Sequence, residues 1–231
     1  MSQAPFRFRL NGALLQPHQS GALFWPDEKT LIVADLHLEK AASLAADGQF
    51  LPPYDTIETL DLLDELLIFF EPKRLIALGD SFHDRFVAHH LNRDTLARIQ
   101  RLSAKIDLVW VTGNHDPEMP AHLGGRVVQD IGFDALHFRH EASPLFVKAG
   151  EISGHYHPKA TTLIRKRRYT GPAFVADERR LILPAFGTFT GGLWVHNPAI
   201  FSLFTPKMRV FLCTQRRVLP LTMHSVIKRQ T

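Results

Sequence analysis

Three apolar segments in the first half of the chain each end abruptly in a polar cluster, and this pattern constrains the fold more than any other feature. The segments are Thr30–Asp35, Arg74–Asp80 and Ile106–Asn114. Runs that are apolar on both faces predict buried strands in a sheet that is covered on both sides. Because open α/β sheets bind ligands at the carboxyl ends of their strands, the polar clusters mark the predicted functional edge.

Helical patterns separate or follow these predicted strands. Tyr54–Phe70 places apolar residues three and four positions apart and ends before Pro72, and Phe86–Leu102 has a similar spacing. An alternation of strand and helix predicts right-handed βαβ crossovers. The first half of the chain is therefore predicted to form a layered α/β structure.

The second half contains short strand-like segments separated by Gly, Pro and Asn. They predict a second sheet packed on the first, so the expected fold class is α/β, a four-layer α/β/β/α sandwich of two mixed sheets flanked by helices. The length of 231 residues fits one domain over residues 1–231. The predicted strands are Ala135–Arg139, Leu145–Val147, Ala173–Val175, Leu181–Leu183, Ile200–Phe204, Arg209–Leu212 and Val218–Thr222.

Composition limits the setting in which the protein works. The single cysteine, Cys213, excludes an internal disulfide framework, and we interpret it as buried and structural. The start of the chain lacks the pattern of a secretory signal, and the longest apolar stretch, Leu62–Phe70, is too short to span a bilayer. We therefore expect a cytoplasmic protein without membrane association. A pI near 9.4 permits an anionic partner without requiring one.

The polar clusters contain carboxylates, an amide and imidazoles, which are the ligands of divalent metal ions. Each motif alone is a weak signal, because a Gly-Asp pair commonly forms a turn and Asp-x-His occurs by chance. The ordered series, with three members closing predicted strands, is what indicates a metal site. In chain order the motifs are Asp35-Leu36-His37, Gly79-Asp80-Ser81-Phe82-His83-Asp84, Gly113-Asn114-His115-Asp116, His140 and Gly154-His155-Tyr156-His157.

This series resembles the signature of the calcineurin-like metallophosphoesterases. The resemblance covers residues 35–157 and implies the sandwich fold with two divalent metal ions. The fourth block departs from the family pattern, which usually has glycine after the histidine, because Glu141 follows His140 here. His137 and His122 are therefore competitors for this position. We prefer His140 because it ends a predicted strand.

The resemblance also implies seven metal ligands. They are Asp35, His37 and His157 for one ion, Asn114, His140 and His155 for the other, and Asp80 as the bridging carboxylate. Oxygen and nitrogen ligands suit manganese, iron and zinc, and what the family implies is manganese. Two such ions would clamp the phosphate oxygens and activate a water molecule for attack on phosphorus.

Three further side chains are predicted to act on the substrate or beside it. By resemblance, His115 faces the scissile phosphate and assists the leaving group. We interpret Asp116 as the acceptor that orients His115, or alternatively as a turn residue before Pro117. His83, three residues after Asp80, resembles a histidine that approaches the phosphate in double-strand-break-repair nucleases of this superfamily.

A basic tract follows the last histidine motif. Arg165, Lys166, Arg167 and Arg168 precede Tyr169. A basic run beside an aromatic residue suits a path for single-stranded nucleic acid past an active site. A solvated hairpin face, or a tract partly covered by Glu178, is the alternative.

Over its whole length the chain resembles the ligase-associated metallophosphoesterases of bacterial DNA-repair gene clusters. The similarity includes the Gly79–Asp84 block and the segment Leu183–Gly192. It implies manganese-dependent cleavage of single-stranded DNA, in functional association with an ATP-dependent DNA ligase, a helicase and an exonuclease-like protein. The glycines of the second segment (Gly187, Gly191 and Gly192) also predict a loop whose backbone approaches a ligand closely.

Other function classes compete with a nuclease. A small-molecule phosphodiesterase, acting on cyclic nucleotides or nucleotides, would use the same metal motifs. A scaffold protein without catalysis would usually lack part of the ligand set, whereas every ligand position can be filled here. A protein phosphatase fits less well, since a chain of this length leaves little room for docking elements.

Overall fold

The computed structural model describes residues 4–46, 48–49, 52, 54–85, 91–145 and 150–228. Its strands are β1 (Phe8–Leu10), β2 (Ala13–Pro17), β3 (Leu23–Trp25), β4 (Thr30–Val33), β5 (Arg74–Leu78), β6 (Asp107–Val111), β7 (Arg126–Val128), β8 (Asp130–Phe133), β9 (Leu136–Arg139), β10 (Gly150–Ser153), β11 (Lys159–Ile164), β12 (Arg167–Ala176), β13 (Arg180–Ile182), β14 (Arg209–Cys213) and β15 (Val218–Thr222). Its α-helices are α1 (Lys40–Ala46), α2 (Asp55–Phe70), α3 (Arg93–Lys105) and α4 (Pro198–Phe201).

The first sheet contains β1 to β7 in chain order. Strands β1 to β4 pair antiparallel, and β4, β5, β6 and β7 pair parallel. The three apolar segments of the sequence are thus neighbouring parallel strands, as predicted. Each strand ends two or three residues before the corresponding segment does, because the polar residues leave the sheet and form the loop above it.

The second sheet has the order β15-β14-β12-β13-β10-β9-β8. In it β9, β10 and β13 are parallel neighbours, and the other pairs are antiparallel. The first half of β12 pairs with β11 as a hairpin that projects beyond the sheet. Both sheets are therefore mixed, in agreement with the predicted fold class.

The core has layers that follow the alternation of side chains along the strands. On β4, Ile32 points toward the second sheet and packs with residues such as Phe138 and Phe174. Leu31 and Val33 point the other way and pack with the apolar residues of α2 and α3. Successive side chains of a strand face opposite sides of a sheet, so a strand between two layers must be apolar throughout.

The outer face of the second sheet is covered by a thin layer. It contains the single-turn helix α4, the β11 hairpin and loop residues that include Val195, Met208 and Val226. The two-sheet sandwich with flanking helices is confirmed, and its outermost layer on this side is mostly irregular structure.

Several local predictions were wrong. Ile200–Phe204 is not a strand, because Asn197 accepts a hydrogen bond from the Ala199 backbone N–H and Pro198 occupies the first helical turn, which starts α4. The second predicted helix, Phe86–Leu102, begins at Arg93, where the Asn92 side chain caps it. Residues 86–90 lie outside the described part of the chain.

The predicted strand Leu145–Val147 is not observed at Leu145, which lies in a bend, and residues 146 and 147 are not described. Strand β10 and strand β11 were missed. Gly150–Ser153 has buried side chains on both faces but is only four residues long, too short for a recognisable apolar period.

Cys213 is buried at the end of β14, as predicted. Burial raises the pKa of its thiol to about 12, so the reactive thiolate is disfavoured near neutral pH. None of the helices described is both long and apolar enough to cross a bilayer.

Candidate metal centre

The loops at the carboxyl ends of four strands bring six of the predicted ligands together. In the first sheet, β4 leads to Asp35 and His37, and β5 leads to Asp80. In the second sheet, β9 leads to His140, and β10 leads to the segment with His155 and His157. Because β4 and β5 are parallel neighbours, as are β9 and β10, their ends meet where the two sheets adjoin.

One cluster consists of Asp35, His37 and His157, whose ligand atoms all lie within 4.8 Å of one another. The Nε2 atom of His157 is 3.4 Å from Oδ1 of Asp35. It is also 3.3 Å from Nε2 of His37. Two imidazole nitrogens and a carboxylate oxygen thus converge on one point, which is the geometry that a shared cation satisfies.

The second cluster consists of Asp80, His140 and His155. The Nε2 atom of His140 lies 3.3 Å from Oδ2 of Asp80 and 3.1 Å from Nδ1 of His155. The other ring nitrogen of His140, Nδ1, donates to the carbonyl oxygen of Leu78 at 2.9 Å. This hydrogen bond leaves Nε2 as the nitrogen available to a metal ion.

The two clusters adjoin and form one centre. Nδ1 of His140 is 3.8 Å from Oδ1 of Asp35. The backbone N–H of His155 donates to both carboxylate oxygens of Asp35, at 3.1 and 3.0 Å. Each cluster therefore positions a member of the other.

The protonation of the side chains fits a pair of divalent cations. Burial, together with the neighbouring His157, lowers the pKa of His37 to about 3, so this ring is neutral and able to bind a metal. Burial of Asp80 is outweighed by His140 and His115, which hold the pKa of that carboxyl below its usual value. Among the described residues, Nδ1 of His37 is buried without a hydrogen-bond partner.

His140 shows directly that positive charge is favoured between the carboxylates. Burial favours its neutral form, but the hydrogen bond and charge of Asp80 and the charge of Asp35 outweigh burial and raise its pKa to about 9. A metal ion at this point would take the place of the ring proton. The donor set therefore fits divalent metal ions, and the two clusters provide two sites.

Five of the six side chains of these clusters sit on strained backbone. Non-glycine residues in the left-handed region are destabilised by about 1 kcal/mol or more each. The loops hold this conformation by bonding across to each other, since His37 N–H donates to the carbonyl of Asp80 at 2.9 Å. The residues with φ between 44° and 72° are Asp35, His37, Asp80, His155 and His157.

Asp116 has a different role from the one predicted. It does not orient His115, whose Nδ1 instead donates to the backbone carbonyl of His83 at 2.7 Å. The carboxylate of Asp116 is fully buried and accepts four backbone N–H groups, at distances of 2.6–3.2 Å. These donors belong to Gly113 and to Asp80, Ser81 and Phe82, so Asp116 fixes the loop that carries Asp80.

Burial of the Asp116 carboxyl raises its pKa to about 6, and the backbone donors act in the opposite direction. A carboxylate that accepts several backbone N–H groups is favoured in its charged form, and a pKa of about 6 leaves this carboxyl charged at neutral pH. Asp116 is thus a buried anion beneath the metal centre.

His115 and His83 lie side by side at the mouth of the centre. Their rings stack with centroids 5.6 Å apart. The Nε2 atom of His115 is 4.0 Å from Oδ2 of Asp80, and the side chain is 46% exposed. Because Nδ1 is engaged by the His83 carbonyl, Nε2 is the atom that His115 presents to a substrate.

Asn114 lies on the loop between β6 and Asp116. Its side chain is exposed, and its neighbour His115 donates its backbone N–H to Oδ1 of Asp80 at 2.9 Å. This hydrogen bond places Asn114 beside the second cluster. Its role as a ligand stays a prediction.

The competitors of His140 lie elsewhere. His137 is on β9 with its Nε2 3.0 Å from Asp130 Oδ1. His122 is exposed on a 3-10 turn below α3, where its carbonyl accepts from Gln100. The structure brings His140, and neither competitor, into the centre.

Two of the three glycines in the glycine-rich segment, Gly187 and Gly192, lie directly against the protein, whereas Gly191 faces open space. A Cβ atom on Gly187 would lie 2.0 Å from the carbonyl oxygen of Leu36, and one on Gly192 would lie 2.1 Å from that of His157. The close approach that the glycines permit is thus to the two metal-ligand segments. The prediction that this backbone also approaches a ligand stays a prediction.

The basic tract forms the tip of the β11–β12 hairpin. Arg165 and Lys166 are its two-residue turn, both with positive φ, and Arg167 and Arg168 begin β12. All four are exposed, and Glu178 pairs with Lys207 instead of covering them. Five residue steps along β11 place the tip about 17 Å from the end of the strand beside His157.

Two further residues at the rim were missed. Glu141 lies 3.8 Å from Nε2 of His155 and accepts from the Tyr156 hydroxyl at 3.5 Å. Lys40, the first residue of α1, adds to the larger effect of burial in lowering the pKa values of His37 and His83. The departure from glycine at Glu141 was a signal in the sequence, whereas Lys40 is brought to the rim only by folding.

A two-sheet sandwich that holds two adjoining histidine–carboxylate clusters at the carboxyl ends of its strands is the arrangement of a metal-dependent hydrolase. A model of the calcineurin-like phosphoesterase family matches residues 28–208. The chain therefore belongs to the calcineurin-like phosphoesterase family, and it is a hydrolase that acts on phosphoester bonds.

Solved structures also match this chain. The crystal structure of Pseudomonas putida nuclease MPE matches with a TM-score of 0.71 and 30% sequence identity, covering 94% of this chain and 100% of that one. The phosphoesterase YfcE from E. coli matches at a TM-score of 0.44 and 13% identity, over 83% of this chain and 97% of that one. A comparison with curated proteins gave no match.

Replacing His140 with alanine should reduce the divalent metal bound per chain, from the two ions for which the clusters provide sites to about one or fewer, because Nε2 of His140 faces Asp80 and His155. The matched control is His137→Ala on the same strand, which should keep two ions. Metal content after gel filtration, measured by mass spectrometry, checks both variants. Loss of metal in His137→Ala with retention in His140→Ala would contradict the assignment.

Replacing Asp116 with asparagine should lower the free energy of unfolding by about 3 kcal/mol, because the amide cannot accept two of the four backbone N–H groups. The control Asp27→Asn changes an exposed carboxylate and should cost less than about 0.5 kcal/mol. Urea denaturation measures both values. Equal effects would show that the Asp116 carboxylate does not hold the loop.

Proposed function

We propose that this chain is a manganese-dependent endonuclease that hydrolyses phosphodiester bonds in single-stranded DNA. The observation that carries the proposal is the joined pair of metal-binding clusters with the exposed Nε2 of His115 beside them. That arrangement combines cation sites for a phosphate with a group that can transfer a proton at the same place.

The residues of the two clusters would bind the metal ions that act on the phosphate. Two divalent ions held by the clusters would supply Lewis acidity toward the phosphate and an activated water molecule. In our proposal one ion is held by Asp35, His37 and His157. The other is held by His140, His155 and Asn114, and Asp80 would contribute to both sites. The buried position of both carboxylates keeps bulk water away from them, which strengthens their attraction for cations.

His115 would act on the leaving group. Its Nδ1–H is held by the His83 carbonyl, so a proton at Nε2 can be donated to the alkoxide that leaves phosphorus. His83 stacks on this ring and would approach the same phosphate beside it. No nucleophilic side chain is required by this arrangement.

Two observations favour DNA as the substrate. The P. putida protein with the same fold over nearly the whole chain is a nuclease. The exposed basic tract of Arg165, Lys166, Arg167 and Arg168 stands on a hairpin that leaves the metal centre, and it would attract a phosphate backbone. The association with a DNA ligase, a helicase and an exonuclease-like protein in repair, and a cytoplasmic location, are part of this proposal and rest on the sequence resemblance.

A small-molecule phosphodiesterase is the second candidate. The length of β11, about 17 Å by strand geometry, separates the tip of the basic hairpin from the segment that carries His157, so a small diester at the metal centre could bind without touching the tip. The two candidate functions therefore differ in the size of the substrate: a nuclease acts on a DNA strand, and a small-molecule phosphodiesterase acts on a small diester.

Circular single-stranded DNA with manganese tests endonuclease activity at this site. Wild type should linearise the circle, since a circle offers no ends. His115→Ala should cut at least 100-fold more slowly, because it lacks the proton donor. Asp80→Asn should be inactive, and Asp130→Asn should match wild type. If the circle stays intact while a small chromogenic diester is hydrolysed, the protein is a phosphodiesterase and the assignment of DNA as its substrate is wrong.

Charge reversal tests the basic tract. Arg165→Glu/Lys166→Glu should weaken binding of single-stranded DNA about tenfold at low salt and flatten its dependence on salt, because fewer counterions are released. Arg101→Glu/Lys105→Glu is the matched control, since it changes the same charge on exposed residues of α3, whose last residue lies at the opposite end of the first sheet. Fluorescence anisotropy measures both. An equal loss in the two variants would mean that only net charge matters.

A further inference from the structure

Phe189 occupies an unusual position beside the metal centre. Its side chain is 46% exposed, although it is a large apolar residue. Its backbone has φ of 54°, in the left-handed region that favours glycine. An exposed aromatic side chain on strained backbone gains little from folding, so the position indicates a role outside the core.

The loop that carries Phe189 is fastened to the metal centre at both ends. The Gly187 N–H donates to the Asp35 carbonyl at 3.2 Å, and Gly192 packs against the backbone of His157. Both contacted residues belong to the first metal cluster. Two residues of chain reach at most about 7 Å, so the backbone of Phe189 lies close to the edge of that cluster.

Side-chain hydrogen bonds hold the middle of the loop. Thr188 Oγ1 donates to the carbonyl of Asp55 at 3.2 Å, at the start of α2. Lys40 Nζ donates to the carbonyl of Phe189 itself at 3.0 Å. The ring is therefore presented from a fixed backbone, whose carbonyl is bound by an ammonium group.

Together these features match the chemistry of a nucleotide. A phosphate would bind at the metal centre, and an unstacked base would find an aromatic ring at the rim. Base stacking on exposed aromatic residues is the usual sequence-tolerant contact of proteins that bind single strands. A small diester without a base would make no such contact.

We propose that Phe189 is the platform on which a nucleobase next to the scissile phosphate stacks, which makes this residue a determinant of specificity for single-stranded nucleic acid. The inference rests on the nuclease function proposed above and adds a base contact to its phosphate contacts. A double-stranded substrate has no free base to offer, so the platform would select unpaired strands.

The test measures binding without cleavage. His115→Ala protein with manganese is titrated into a labelled oligothymidylate or into an abasic oligomer of the same length, and anisotropy gives the Kd. Phe189→Ala should weaken oligothymidylate binding about tenfold and leave abasic binding unchanged. Phe189→Trp should retain tight binding. Phe201→Ala, which removes an exposed phenylalanine from α4, is the matched control and should have no effect.

A structural role would give a different pattern. If Phe189→Ala weakened both oligomers equally, or lost bound manganese, the ring would support the loop and the stacking inference would be overturned. If the parent protein bound oligothymidylate and Phe189→Ala bound it equally well, the inference alone would fail. If the parent protein bound neither oligomer, the proposed nuclease function would fail together with it.

Discussion

The burial of two carboxylates, Asp35 and Asp80, where the edges of two sheets meet is the constraint on which the rest of this structure depends. Charged groups removed from water must be compensated, or they become neutral. Here the compensation comes from backbone N–H groups and from histidine rings that converge on the carboxylates. A centre of this kind favours added positive charge, which explains why His140 holds a proton so strongly and why divalent metal ions fit in its place.

The loops at this edge are strained and interlocked for the same reason. Ligand side chains can converge only if their backbone turns sharply at the strand ends, and several of these residues therefore have positive φ. The conformation is maintained by hydrogen bonds between loops from different strands and by Asp116, which gathers four N–H groups beneath Asp80. Gly187 and Gly192 contribute in another way, since only glycine allows their loop to lie against the segments of Asp35 and His157. The same loop presents Phe189 at the rim, so the stability of the centre and the shape of its substrate surface are linked.

The parts of the fold that follow from local pattern were predictable. The apolar runs that became β4, β5 and β6 are buried on both faces, and such a run has few alternatives. Short segments were predicted less well. Ile200–Phe204 has the composition of a strand, but the Asn-Pro pair before it starts a helix. Lys159–Ile164 was not among the predicted strands, and it becomes one because β12 pairs with it. In both cases the deciding interaction is a cap or a partner strand, which average hydrophobicity does not report.

The sequence by itself determined the chemistry of the site, because Asp35-x-His37, Gly79-Asp80, His140 and Gly154-His155-x-His157 supply carboxylates and imidazoles, which bind divalent metal ions, and Gly113-Asn114-His115 adds an amide and a further imidazole. Tertiary structure alone decided which atoms do the work. Nε2 of His140 is available to a metal ion because Nδ1 donates to the Leu78 carbonyl. Asp116 accepts hydrogen bonds from the Asp80 loop and does not orient the ring of His115. Lys40 and Phe189 reach the rim from distant parts of the chain. These outcomes depend on contacts between residues far apart in sequence, and such contacts exist only after the two sheets have packed together.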